Sequence, residues 1–134
     1  MHIIEKEIAR ATMTSEEAKQ ILKDNFECKE NSLIYLLHEK NLFSTEQFWK
    51  YYDSISALAV NDEEKSMNIA MQITQSYQDI LKYFIFHLDS HDGYKITNFP
   101  QNYSDYMDRI EYAIWAYFKG NVKWIDEAMF ELQR

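Results

Sequence analysis

Along most of the chain, apolar residues return every three or four positions, and polar residues of the helix-starting type punctuate them. Thr14 followed by Glu17 in "TSEE" is a capping box, and it predicts a helix to about Phe26 with Ala18, Ile21 and Leu22 on its apolar side. Upstream, Ile3, Ile4 and Ile8 carry a spacing of four that suggests a short preceding helix. "NSLIYLLHEK" reads as a brief, well-buried helix. In "LFSTEQFW", Ser44 and Gln47 form a second capping box, flanked by Phe43 and Phe48 in the two positions of a hydrophobic staple. Phe48, Tyr52, Ile55 and Ala59 then trace one face of a helix ending near Val60.

Asn61 is placed to cap the next helix, with Asp62, Glu63 and Glu64 in a first turn where the helix dipole favours negative charge. The pattern carries it from Asp62 to Leu88, with Ala70, Ile73, Tyr77, Leu81, Phe84 and Leu88 as core stripe and Gln72, Gln75, Asp79 and Lys82 opposite. Its end is apolar nearly all round, so Tyr83, Ile85 and Phe86 are either central or covered by a partner. Asp89 to Tyr103 is the one long break, holding Gly93 and Pro100. A helix from Ser104 to Lys119 follows, stopped by Gly120, with Tyr103, Met107, Ile110, Ile114 and Phe118 as core stripe and Glu111 close to it. A last helix is expected over "NVKWIDEAMFEL", with Val122, Ile125, Met129 and Leu132 on one side.

Two glycines and one proline in 134 residues are too few for the frequent turns of a sandwich or barrel. With 46% hydrophobic and 16% aromatic residues, the chain has enough apolar surface to offset its ordering entropy. The expectation is therefore all-α: a single compact domain of five to seven helices over residues 1–134, with no repeat and no internal boundary. The longest uninterrupted apolar run, "YFIF", is far below bilayer length, the N-terminus does not read as a signal peptide, and Cys28 has no internal disulfide partner. A soluble, cytoplasmic protein is expected.

The net charge of −8 opposes binding to nucleic acid or to anionic membranes. It serves either solubility or docking onto a basic protein surface. On the helix after the long break, Asp105, Asp108, Tyr112 and Lys119 fall opposite the core stripe, with Trp115 on the flank. Acids and large aromatics on one outward face suit protein recognition, unless a neighbouring helix covers Tyr112 and Trp115.

Catalytic chemistry is hinted at in one place. "FIFHLDSHDGYK" sets His87, Asp89, His91 and Asp92 within six positions, a mixture of imidazole and carboxylate that can bind zinc, manganese or iron. Asp, Ser and Gly there favour a cap and turn, so the stretch reads first as a helix running out into a loop that displays His91, Asp92 and Tyr94. Cys28 sits in "FECKE", among acids that raise a thiol pKa, and no glycine-flanked serine or phosphate-cradling loop occurs.

In size, charge, expected helicity and aromatic richness the chain resembles the small acidic immunity proteins that bacteria pair with contact-dependent and other polymorphic toxins. The resemblance implies tight binding to a cognate toxin domain, with a nuclease as the expected target, and no catalysis and no cofactor. The partner-binding residues expected for that role are Asp105, Asp108, Tyr112 and Trp115 together with His91, Asp92 and Tyr94. Two other readings remain open: a helical metal-dependent hydrolase using His87, His91 and Asp92, and a helical regulatory or oligomer-forming module using the patch at Tyr83, Ile85 and Phe86.

Overall fold

The structure, a computed structural model, describes residues 13–134. Among them five α-helices build the fold: α1 (Ser15–Phe26), α2 (Leu33–Glu39), α3 (Thr45–Ala59), α4 (Met67–Leu88) and α5 (Tyr103–Lys119). The all-α expectation holds. The segment with Ile3, Ile4 and Ile8 lies outside the described residues.

Central to the packing is α3, which meets α1 on one side and α5 on the other, while α4 closes over α1 and α2 and touches α5 only lightly. That position follows from its sequence, since Phe48, Tyr51, Tyr52, Ile55, Leu58 and Ala59 give apolar surface on more than one face, and all six are buried. The start of α3 is built as the capping pattern dictates. Ser44 Oγ accepts the Gln47 N–H at 3.1 Å, and the Phe43 and Phe48 rings pack 6.0 Å apart. The same logic starts α1, where Thr14 Oγ1 accepts the Glu17 N–H at 3.1 Å.

Tight turns are made almost without glycine. Cys28, Asn31, Asn41 and Asn98 hold positive φ, the three asparagines in a region their short polar side chains tolerate. Only Gly120, at φ 69°, ends a helix in the glycine manner. Buried Asn25 joins α1 to α2, donating from Nδ2 to the Ile21 carbonyl and accepting the Ile34 N–H at Oδ1.

Three expectations are corrected. First, the helix expected from Asp62 starts at Met67. Asn61 caps only a 3-10 turn, Asp62–Glu64, after which Lys65 is extended and Ser66 caps α4 by accepting the Ile69 N–H. Lys65 explains the interruption: its Nζ donates to the Ala59 carbonyl at 2.9 Å, closing the end of α3, and lies over the Tyr117 ring at 4.2 Å. Second, the buried stripes are rotated. On α4 it is Ile69, Gln72, Ile73, Ser76, Ile80 and Phe84, with Gln72 inside and Leu88 exposed. On α5 Tyr106, Arg109, Ile110, Ala113, Ala116 and Tyr117 are buried, while Tyr103 and Phe118 are exposed. Glu111 is half-buried and raises the pKa of Tyr77, after burial of that phenol itself.

Third, "NVKWIDEAMFEL" is no α-helix. It forms two 3-10 turns, Val122–Ile125 and Glu127–Met129, each started by an Asx side chain: Asn121 accepts from Lys123 N–H and Asp126 from Ala128 N–H. Asp126 is itself extended, so it ends the first turn as it begins the second.

Candidate partner-binding site

The outer side of α5 and the chain that follows it enclose a cavity of about 340 Å³, lined by Asp105, Asp108, Tyr112, Met129, Phe130, Glu131 and Leu132. Asp105, Asp108 and Tyr112 share a face because they are three and four positions apart on one helix. The opposite wall comes from residues 129–132, which the sequence reading assigned to a helix and which instead run back alongside α5.

Arg109 fixes that wall. Its side chain is fully buried, donating from Nε and Nη2 to the Leu132 carbonyl and pairing Nη1 with Glu127. The guanidinium also donates to Tyr52 Oη at 3.3 Å and lies 4.1 Å from the Phe130 ring and 5.1 Å from the Trp49 ring. Arg134 repeats the pattern, with two 2.7 Å bonds to Asp53, a 3.1 Å bond to Glu127 and its guanidinium 4.5 Å from Trp49. Two planar cations, two carboxylates and three aromatic rings thus clamp the last turns onto α3 and α5.

Aromatic packing completes the face. Trp124 stacks on Tyr112 at 5.5 Å and 15°, Phe130 meets Tyr112 edge-on at 5.5 Å, and Trp115 packs against both Tyr112 and Trp124. The cover over Tyr112 is therefore the chain after α5 rather than a neighbouring helix. Trp115 stays 37% exposed beside this cluster. Among the described residues neither Asp105, Asp108 nor Glu131 is ion-paired, so the cavity is a patch of uncompensated negative charge bordered by aromatic rings. Met129, Phe130, Glu131 and Leu132 were not expected there; the one sequence signal for them is Arg109, which keeps a helical interval with Tyr106, Ala113 and Tyr117.

The loop after α4 answers its own question differently. Lys95 Nζ donates to the carbonyls of His87, Asp89 and Asp92 at 2.9, 3.2 and 3.1 Å, so a lysine ammonium caps the C-terminus of α4 and gathers the loop around itself. Asp89 and Asp92 each accept a backbone N–H two residues on, from His91 and Tyr94. Tyr94 donates its hydroxyl to the Leu37 carbonyl at 2.5 Å, and burial pushes its phenol pKa up. Its ring and that of Tyr83 flank Phe86, while Ile85 remains exposed. Of His91, Asp92 and Tyr94, only His91 is fully exposed. Tyr94 reaches α2 and α4 while His91 and Asp92 bond to Asp89 in the loop, and the structure does not join the three to the cavity formed by α5 and residues 129–132.

His87 Nδ1 accepts the Ile96 N–H at 2.8 Å, and its ring stacks on Phe99 at 4.0 Å. Nδ1 is thus used up, and among the described residues no group of three or more His, Cys, Asp or Glu side chains is placed to hold a metal ion. Burial, then Lys95, lowers the His87 pKa from 6.5. The folded state consequently binds fewer protons than the unfolded one just below that value, and stability falls as pH drops through it. Measured by urea denaturation between about pH 7 and pH 5, this fall is expected to be shallower in His87→Gln, whose amide cannot titrate. Cys28 is half-buried, its thiol pKa raised by burial and then by Glu39 and Asp79, which come from other helices rather than from "FECKE".

No known family model matches the chain, and no curated protein or solved structure is significantly similar to it. Among the described residues no helix is long and apolar enough to cross a membrane.

Proposed function

We propose that the chain is an inhibitory binding protein of the immunity type, which neutralises a toxin domain in the cytoplasm by covering a basic active-site surface. The observation that carries this reading is the cavity of Asp105, Asp108 and Glu131 beside Tyr112 and Phe130, in a chain of net charge −8. Acids without internal counter-charges attract a basic partner over long range, and adjacent aromatic rings supply the contact area on which binding energy concentrates. A lysine or arginine from the partner is the natural occupant. Its charge meets the carboxylates and its stem or guanidinium plane lies on the rings. A nuclease, whose active site must be positive to hold nucleic acid, fits this chemistry. The chain itself would act by occlusion and perform no catalysis.

This reading requires a toxin domain encoded beside this gene, and the test is growth rescue against that domain and association kinetics with it. Wild type is expected to restore growth on co-expression. Asp105→Lys with Asp108→Lys should slow association at least about tenfold at low salt, with the difference shrinking as salt is added. Neither aspartate is buried, so folding stability should move by only about 0.5 kcal/mol. Failure of wild type to rescue growth overturns the inhibitor reading, and an unchanged association rate in the double variant removes this cavity from the interface.

A further inference from the structure

Helix α4 has a second apolar seam besides its buried one. Met67, Met71, Thr74, Gln78, Leu81, Ile85 and Leu88 follow one another at alternating intervals of four and three, the spacing that keeps side chains along one line of a paired helix. Here the seam faces outward: Met67 is 87%, Met71 51%, Ile85 60% and Leu88 51% exposed, and Leu81 is half-buried. Four large apolar residues on one solvent face of one helix are unusual in a chain with 22 acidic residues.

We propose that this face is a homodimer interface, in which a second copy packs its α4 antiparallel to the first about a twofold axis at Gln78. The pattern is nearly symmetric about Gln78: Met71 and Ile85 are each seven positions away, and the other pairs differ by one position. Inverting it sets Met67 against Leu88, Met71 against Ile85 and Thr74 against Leu81, each within one residue of register, with the two Gln78 amides side by side at the axis. An isologous contact requires that self-complementarity. A polar pair at the centre of an apolar seam also fixes register.

Charge favours the same occupant. The only Asp, Glu, Lys or Arg residues in α4 are Asp79 and Lys82, so two copies meet here without the repulsion that a net −8 would impose elsewhere. Parallel pairing would set Lys82 beside Lys82, whereas antiparallel pairing about Gln78 moves the two Lys82 about 12 Å apart along the axis and brings each helix's positive end to its partner's negative end. The two Asp79 stay near the axis in either arrangement, outside the seam positions and each accepting a bond from its own Gln75. A 22-residue helix is about 33 Å long and about 11 Å wide, so pairing the whole strip buries on the order of 700 Å² in total, in the range of weak and transient contacts rather than permanent ones. The dimer is thus a reversible one. The seam shares no residue with the acidic cavity, so the two interfaces can be tested separately.

Sedimentation equilibrium of the full chain over a wide concentration range is expected to show a monomer–dimer equilibrium, which Met71→Glu or Ile85→Glu weakens at least tenfold. Cross-linking then reads the geometry. In a Cys28→Ser background, Gln78→Cys should oxidise to a disulfide-linked dimer. Met71→Cys and Ile85→Cys should not do so alone, but should form a mixed dimer when combined. Self-linking of Met71→Cys would mean parallel pairing and overturn the register. A monomer at every concentration overturns the dimer, and thiol labelling of Met71→Cys then separates the causes: a protected thiol means that the chain's own residues cover the seam, and a reactive one that it awaits another protein.

Discussion

Replacing Arg109 with alanine is expected to lower the free energy of unfolding by about 3–5 kcal/mol, as measured by urea denaturation at neutral pH. The guanidinium is fully buried, and each of its groups is committed: to Leu132, to Glu127, to Tyr52 and, through its faces, to Phe130 and Trp49. Alanine would leave the Leu132 carbonyl without its donors and a void between α3 and α5. Glu127 would retain Arg134, which limits the loss. Arg109→Lys keeps the charge but not the planar fork, and is expected to cost a substantial part of the same energy. The loss should also be local in its first expression. Residues 129–132 depend on Arg109 to lie beside α5, so tryptophan emission, to which Trp49 against Arg109 and the Trp115–Trp124 pair contribute, is expected to shift before the helices melt. A variant that unfolds in one step, with emission and helicity changing together, would show that this segment is no separate clamp.

Arg109 is invisible to hydrophobic patterning for a physical reason. Hydropathy marks any arginine as surface, so the α5 stripe it predicts runs through Met107, Ile114 and Phe118, about one position round the helix from Tyr106, Ala113 and Tyr117. The true stripe contains a cation because a carboxylate, a carbonyl and aromatic rings meet it from two other segments, α3 and residues 127–132, and neither is near Arg109 in sequence. Local signals fared better. The caps at Thr14 and Ser44, the Phe43–Phe48 staple and the stop at Gly120 depend on residues within a few positions of one another, and the fold builds each where the pattern puts it. Side-chain bonds to backbone carbonyls that no capping pattern signals decided the rest: Lys65 reaching back to Ala59 splits a predicted helix, and Lys95 reaching three carbonyls accounts for a loop that suggested metal ligands. Asp105, Asp108 and Tyr112 were legible as a face because α5 is regular there. Their opposing wall was not, because Asp126 offers both a helix continuation and an Asx turn, and only the Arg109 and Arg134 contacts select the turn.

Phe48→Ala is expected to cost about 3–5 kcal/mol, comparable with the loss of Arg109 but by a different route. Phe48 is 1% exposed, with ring centroids at 4.8 Å from Tyr106, 5.0 Å from Trp49, 6.0 Å from Phe43 and 6.5 Å from Tyr52. No small shift of α3 closes the resulting void, because α1 and α5 hold that helix from two sides. Phe48→Leu should recover more than half of the loss, since it refills most of the volume without edge-to-face contacts. The two routes meet at Trp49 and Tyr52, which touch both Phe48 and the Arg109 guanidinium. A double-mutant cycle between Phe48→Ala and Arg109→Ala is therefore expected to show a coupling of about 0.5–3 kcal/mol, outside the additivity of independent sites. Additive losses would mean that Trp49 and Tyr52 hold their positions without either neighbour, and that the wall of the acidic cavity is set by the Glu127 and Leu132 contacts of Arg109 alone.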